Sequence, residues 1–298
     1  VNINTVTLAD LATFITQHHH KVKDTDRFIF EKNGVKIAEP QTDAELRDFL
    51  QTMTAKKDTT LIVDPKSDVK VFSESNMEEV CTLYGISYDP RNPLSQFPVF
   101  QCEYNHIDEE LLSYLMNELN SRTALTPADQ GPEAHKSIYI YCILHAIAKS
   151  FNSQFLVLAE RYVEGSKAKG NVDYSIELRD GEILGVTELK KENYIQGVAQ
   201  NAMEIRSAWE YNRKRKVGEI SEKSRCFGIA TDADNWYFLE YTPGHTPKIS
   251  KKYQVMFQGE FQKEHVKQIS GIINWLLKEG LEQPMASEPA SKKAKTDK

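Results

Sequence analysis

GNVDYSIELRDGEILGVTELKKENYIQGVAQNAME, residues 170–204, is the stretch on which the reading of the whole chain turns. Its first half is rich in Val, Tyr, Ile and Leu from Asn171 to Arg179 and reads as a strand. Asp180-Gly181 is the dipeptide favoured by a two-residue hairpin turn, where positive φ is required, and Glu182 to Leu189 reads as the return strand. Side chains alternate faces along a strand, so Glu188 and Lys190 share a face that Leu189 does not. Asp173 lies on the partner strand, where the hairpin brings it toward them. From Asn193 the pattern turns helical, with Gln196 and Gln200 on one face.

An Asp, a Glu and a Lys converging at one end of a sheet have a chemical use. Asp173 and Glu188 offer the hard oxygen ligands that suit Mg²⁺ or Mn²⁺. An ion held there lowers the pKa of a bound water and stabilises charge on a phosphoryl oxygen. Lys190 is placed to orient that water; a structural ion pair with Glu188 or Asp173 accounts for it equally simply. The tripeptide alone carries nothing, because ExK arises by chance roughly once or twice in a chain of this length. DPK at 64–66 and DVK at 68–70 have no such surroundings. The weight lies in the order: acidic strand, DG hairpin, ExK strand, QxxxQ helix.

At these residues the chain resembles the PD-(D/E)xK nucleases of restriction-endonuclease-like fold, over roughly Glu133 to Tyr241. VDY at 172–174 matches the acidic strand, ELK at 188–190 the (D/E)xK strand, and Gln196 and Gln200 the Gln-bearing helix. GIATDADNWYFLEY at 228–241 is similar to the TDGxxWxF hairpin of several branches, with Ala233 and Asp234 where a turn glycine is usual; Val172 replaces the Pro before the Asp. The resemblance implies an α/β αβββαβ core, a DNA phosphodiester as substrate, a Mg²⁺ or Mn²⁺ cofactor, and catalytic roles for Asp173, Glu188, Lys190, Gln196 and Gln200. It further implies an acid from the first helix, here Glu133. A favourable charge at a helix N-terminus explains Glu133 equally well, and Glu160 and Glu164 compete for the part.

The net charge of −6 over 298 residues does not itself announce a nucleic-acid binder. Phosphate binding needs only a local patch. Lys191, Arg206, Arg213, Lys214, Arg215 and Lys216 supply a candidate, with a solvated helix face as the rival reading. The hydrophobic content of 40% suffices for a proper core, and no apolar run is long enough to span a membrane. Cys81, Cys102, Cys142 and Cys226 are widely spaced without a CxxC pair, which argues for reduced, intracellular thiols. The start lacks the basic flank of a secretory signal, although the chain opens on Val1, which leaves a removed signal open.

Four segments follow. Residues 1–65 alternate helix (Thr7–His18), two strands about Asn33-Gly34, a short helix from Asp43 capped by Thr42 with Glu45, and a strand closed by Pro65. That is the order of a ubiquitin-like β-grasp module lacking its first hairpin, and such modules bind protein partners. His18-His19-His20 at a helix end point apart and are poor candidates to share an ion. Residues 66–131 read as a helical connector and 132–279 as the nuclease-like domain. Residues 280–298 read as a disordered basic tail whose KKAK at 292–295 fits a nuclear-localisation signal. A ubiquitin-like head on a nuclease-like body also resembles the plan of Crinkler-type proteins of fungi and oomycetes, which implies an effector acting in a nucleus. The expectation is a metal-dependent endonuclease acting on DNA, with RNA left open. The alternative is a nuclease-fold protein that no longer cleaves and serves as an interaction or nucleic-acid-binding effector.

Overall fold

The computed structural model describes residues 4–18, 27–32, 35–38, 40–55, 62–66, 69–127, 132–190, 193–215, 225–255 and 260–282. Lys191, Lys216, the Asn33-Gly34 turn, His19, His20 and the tail with its KKAK lie outside the described residues. The chain forms two compact units, residues 1–70 and 71–298. No helix among the described residues is long and apolar enough to cross a membrane.

The first unit has α1 (Leu8–His18), β1 (Arg27–Lys32), β2 (Val35–Ala38), α2 (Asp43–Ala55) and β3 (Ile62–Lys66). The strands form an antiparallel sheet in the order β2-β1-β3. Pro65 is tolerated inside β3 because that strand is an edge and need not donate on both sides. Val6, Phe28, Phe30 and Leu46 make the core. Thr42 Oγ accepts from the Glu45 N–H at 3.2 Å, while the Glu45 carboxylate reaches the N–H of Gln41 at 2.7 Å, one residue earlier than a reciprocal capping box.

Strand β4 (Lys70–Val71) falls at the boundary, and the second unit then runs α3 (Met77–Tyr84), α4 (Glu109–Thr123), α5 (Glu133–Lys149), β5 (Phe155–Glu164), β6 (Ala168–Leu178), β7 (Ile183–Leu189), α6 (Tyr194–Arg215), β8 (Cys226–Thr231), β9 (Asn235–Tyr241), β10 (Lys248–Ile249), β11 (Tyr253–Gln254) and α7 (Lys263–Glu282). Strands β5, β6 and β7 pair antiparallel in sequence; α6 then crosses over so that β8 joins β7 in parallel, and β9 returns antiparallel. The product is a mixed sheet. A parallel neighbour needs such a helical crossover, and the helix has to cover a face. Both faces are covered: Phe227, Ile229 and Phe238 join residues of α4, α5 and α7 in one core. Ala230, Tyr237 and Leu239 join α3 and α6 in the other, with the period of two that a strand imposes.

The hairpin between β6 and β7 is not the two-residue turn expected of Asp180-Gly181. Leu178 N–H bonds to Glu182 O at 2.8 Å and so closes three residues, of which Gly181 alone is left-handed, at φ 84°. This is the three-residue hairpin in which a type I turn ends on a glycine. Asp180 serves by its side chain, accepting from the Glu182 N–H at 3.0 Å.

Candidate active site

The register that pairs Tyr174 with Thr187 sets Asp173 directly opposite Glu188 on neighbouring strands. Cross-strand neighbours of this kind hold their Cβ atoms about 5 Å apart. Asp173 Oδ2 accepts from the Leu189 N–H at 2.6 Å, which ties its carboxylate to the end of β7. Lys190 Nζ lies 2.8 Å from Glu188 Oε1, the same-face placement that strand alternation requires. The ion pair is therefore real, and it sits within the carboxylate site rather than apart from it. Helix α6 makes room for it: a Cβ on Gly197 would come 3.1 Å from Lys190 Cγ, so the lysine stem passes over the first turn of α6 where a side chain is missing.

Glu188 is buried, and behind it lies a residue that the sequence reading did not single out. Glu204, four residues beyond Gln200 on α6, is wholly buried. Its carboxyl accepts from Gln200 Nε2 and from Asn201 Nδ2, each at 3.1 Å, and hydrogen-bonds Glu188. Asn201 also donates to Val186 O at 3.2 Å, and a Cβ on Gly228 of β8 would come within 2.1 Å of its Oδ1. Glycine at 228 is thus the slot through which α6 lowers its polar face onto the sheet. The signal was available, since Gln196, Gln200 and Glu204 repeat every four residues along one face.

Burial sets the electrostatics. It raises the Asp173 carboxyl to about 6, helped by the charges of Glu133 and Glu160 and opposed by the Leu189 N–H and Lys190. Burial and then the Asp173 charge raise Glu188 to about 7, while Glu204 and Lys190 work the other way. Glu204 is held well above the carboxylate range by burial and by Glu188. Of the two, Glu204 is the one that burial holds more firmly protonated, and it donates to Glu188 beside the Lys190 ammonium. Burial lowers Lys190, but the bond to Glu188 and the charges of Glu188, Glu133 and Asp173 outweigh it, and its pKa is raised.

The remaining predicted residues divide. Glu133 begins α5 and acts on the charges of both Asp173 and Lys190. Glu160 stands opposite Asp173 in β5 with a left-handed φ of 52°. Gln196 turns away from the carboxylates: its amide donates to the carbonyls of Ser73, at 3.3 Å, and Ser75. Gln200 is tied to Glu204, and its Oε1 is buried without a hydrogen-bond partner. The basic cluster belongs to the other end of α6. Arg213 and Lys214 are exposed in the last turn of this 22-residue helix, about 30 Å from its start. Arg206 is pinned by Glu210 at 3.1 Å and lies 5.9 Å above the Tyr84 ring. Arg215 ends the helix, and nothing is described of its side chain.

The similar hairpin at 228–241 keeps its shape without its glycine. Ala233 itself adopts φ 73°, Asp232 Oδ1 accepts from the N–H groups of Asp234 at 3.0 Å and Asn235 at 2.6 Å, and Trp236 Nε1 donates to Ala233 O at 2.9 Å. Lys136 of α5 meets Asp234 at 3.0 Å and fastens this turn beside the start of α5.

Fold and site together define an α/β protein whose mixed sheet carries a buried carboxylate–lysine centre under a crossover helix. The chain is 34% identical over 249 residues to Crinkler effector protein 1 of Rhizophagus irregularis, a match that takes in 80% of this chain and 53% of that protein. This likeness supports a Crinkler-type protein, and the chain spans about half the length of the curated relative it matches. No family model matches the chain.

Proposed function

We propose that residues 132–279 form a PD-(D/E)xK nuclease domain of restriction-endonuclease-like fold that hydrolyses DNA with Mg²⁺ or Mn²⁺. The observation that carries this reading is Asp173 facing Glu188 across adjacent strands, with Lys190 Nζ 2.8 Å from Glu188. The donor set fits a hard divalent ion. Among the described residues no group of three or more His, Cys, Asp or Glu side chains is arranged to hold a metal. An ion at Asp173 and Glu188 would thus complete its shell with water and substrate oxygens, as Mg²⁺ commonly does. The ion would supply an activated water and charge stabilisation at the phosphoryl group. Asp173 spends Oδ2 on the Leu189 N–H and keeps its other oxygen for a ligand. Glu204 holds the Glu188 carboxylate from behind, and Lys190 brings a positive charge to the side on which a phosphate would gain negative charge. The helix, strand-hairpin, strand, crossover-helix, strand order of α5 through β8 supports the fold reading. The first unit, a three-stranded sheet with two helices, is read as the ubiquitin-like module that recruits a protein partner. The name of the relative further supports an effector role.

The test is incubation of supercoiled plasmid with the full chain and Mg²⁺ or Mn²⁺, beside Ca²⁺ and EDTA controls. Nicking with the first two ions alone is expected. Lys190→Ala, purified identically, should lose cleavage while Mn²⁺ binding measured by calorimetry persists, and Asp173→Ala should lose both. Equal cleavage by wild type and Lys190→Ala, or no cleavage of DNA or RNA by either, would replace this reading with a binding protein on a nuclease-like fold.

A further inference from the structure

Outside the carboxylate centre, one pair of rings remains unexplained. Tyr237 of β9 pairs with Ala230 of β8, and Ala230 pairs with Glu188 of β7. Asp173, Glu188, Ala230 and Tyr237 therefore form one row across four strands. Two strand spacings put the Tyr237 backbone about 10 Å from that of Glu188. Ala230, buried beneath α6, is the residue between them in the row. Tyr194, the first residue of α6 and four beyond Lys190, lays its ring on that of Tyr237 with centroids 5.5 Å apart and planes inclined by 9°.

The two rings are not equivalent. Tyr237 is buried, whereas Tyr194 remains 46% exposed. At this spacing and tilt the rings form an offset stack, a preferred arrangement for an aromatic pair. What sets it apart is exposure: its outer ring is open to solvent and is backed by a ring that the sheet holds in place.

We propose that Tyr194, braced by Tyr237, is a stacking platform for an unpaired nucleobase of the strand whose phosphate lies at Asp173, Glu188 and Lys190. The proposal rests on the phosphodiesterase reading for its substrate class and extends it from a phosphate site to a base site. Every base has a π-face, so such a platform accepts any sequence but requires the base to be unstacked from a duplex. The preferred substrate is accordingly a single strand, a flap or a frayed end.

The experiment measures anisotropy of a labelled, short single-stranded DNA with the full chain in Ca²⁺, together with the same strand carrying abasic sites throughout. Tyr194→Ala should weaken binding of the normal strand by about fivefold or more, the lower end of what one stacked base contributes. It should leave the abasic strand unchanged, and Tyr194→Phe should retain wild-type binding of both. Tryptophan-monitored melting confirms that the Ala variant is folded. An equal effect of Tyr194→Ala on both strands, no effect on either, loss with Tyr194→Phe, or absence of binding by the wild type overturns the platform. Cleavage of the same single strand and of plasmid in Mg²⁺ or Mn²⁺ is scored separately. Base-dependent binding through Tyr194 without cleavage would sink the nuclease reading alone, and cleavage without base dependence would sink the platform alone.

Discussion

Removing the Glu204 carboxyl is the sharpest test of how the centre is built. In Glu204→Ala the Gln200 and Asn201 amides, each bonded to it at 3.1 Å, lose their acceptor, and Glu188 loses a donor in a buried setting. A buried donor left unpaired costs about 1–3 kcal/mol. The cavity adds to this, and the loss should reach roughly 3–5 kcal/mol. That is a large part of the about 5–15 kcal/mol typical of a folded domain. Glu204→Gln should cost less than about 1 kcal/mol, because Gln offers Glu188 an N–H in place of the O–H and Gln200 has an unpaired buried Oε1 with which to rearrange. The assay is urea unfolding followed by tryptophan fluorescence at neutral pH. Trp209, Trp236 and Trp275 all lie in the unit of residues 71–298, so the signal is confined to the body that holds the site. Were Glu204→Ala harmless, or Glu204→Gln as damaging as Glu204→Ala, Glu204 would not be the protonated partner of Glu188.

Two further outcomes follow from the same geometry. Asp173 and Glu188 have carboxyl pKa values raised to about 6 and about 7, so the folded state holds their protons more tightly than the unfolded state does. Their contribution is complete below the unfolded values and disappears as pH rises through the folded ones. The metal-free protein should therefore melt several degrees lower at pH 8 than at pH 5, and Asp173→Asn should flatten that slope; a flat profile in the wild type would refute the buried-carboxyl account. At the β8–β9 turn, Ala233→Val places a β-branched residue at φ 73° and should destabilise by about 2 kcal/mol in urea, whereas Ala233→Gly should be neutral or stabilising.

The strands flanking Asp173 and Glu188 were legible in the sequence because their apolar residues and turn signals are local. The shared face of Glu188 and Lys190 follows from a period of two that no fold can alter. The start of α6 and the facing of Gln196 toward Gln200 were legible for the same kind of reason. The turn at Asp180-Gly181 was recognisable, but its length was not, since closure depends on where Leu178 and Glu182 register across the hairpin. Other properties belonged to the tertiary structure alone. Gln196 and Gln200 share a helix face, yet one bonds to Ser73 and Ser75 and the other to Glu204. Arg213 and Lys214 follow the Gln-bearing segment in sequence, yet the rise of one long helix carries them to its far end. Glu204 reads as one more helical glutamate until α6 settles on Gly228 and buries it beside Glu188. Periodicity is a property of neighbours along the chain and survives in any fold. The desolvation that makes Glu204 hold its proton exists only once distant segments close over it.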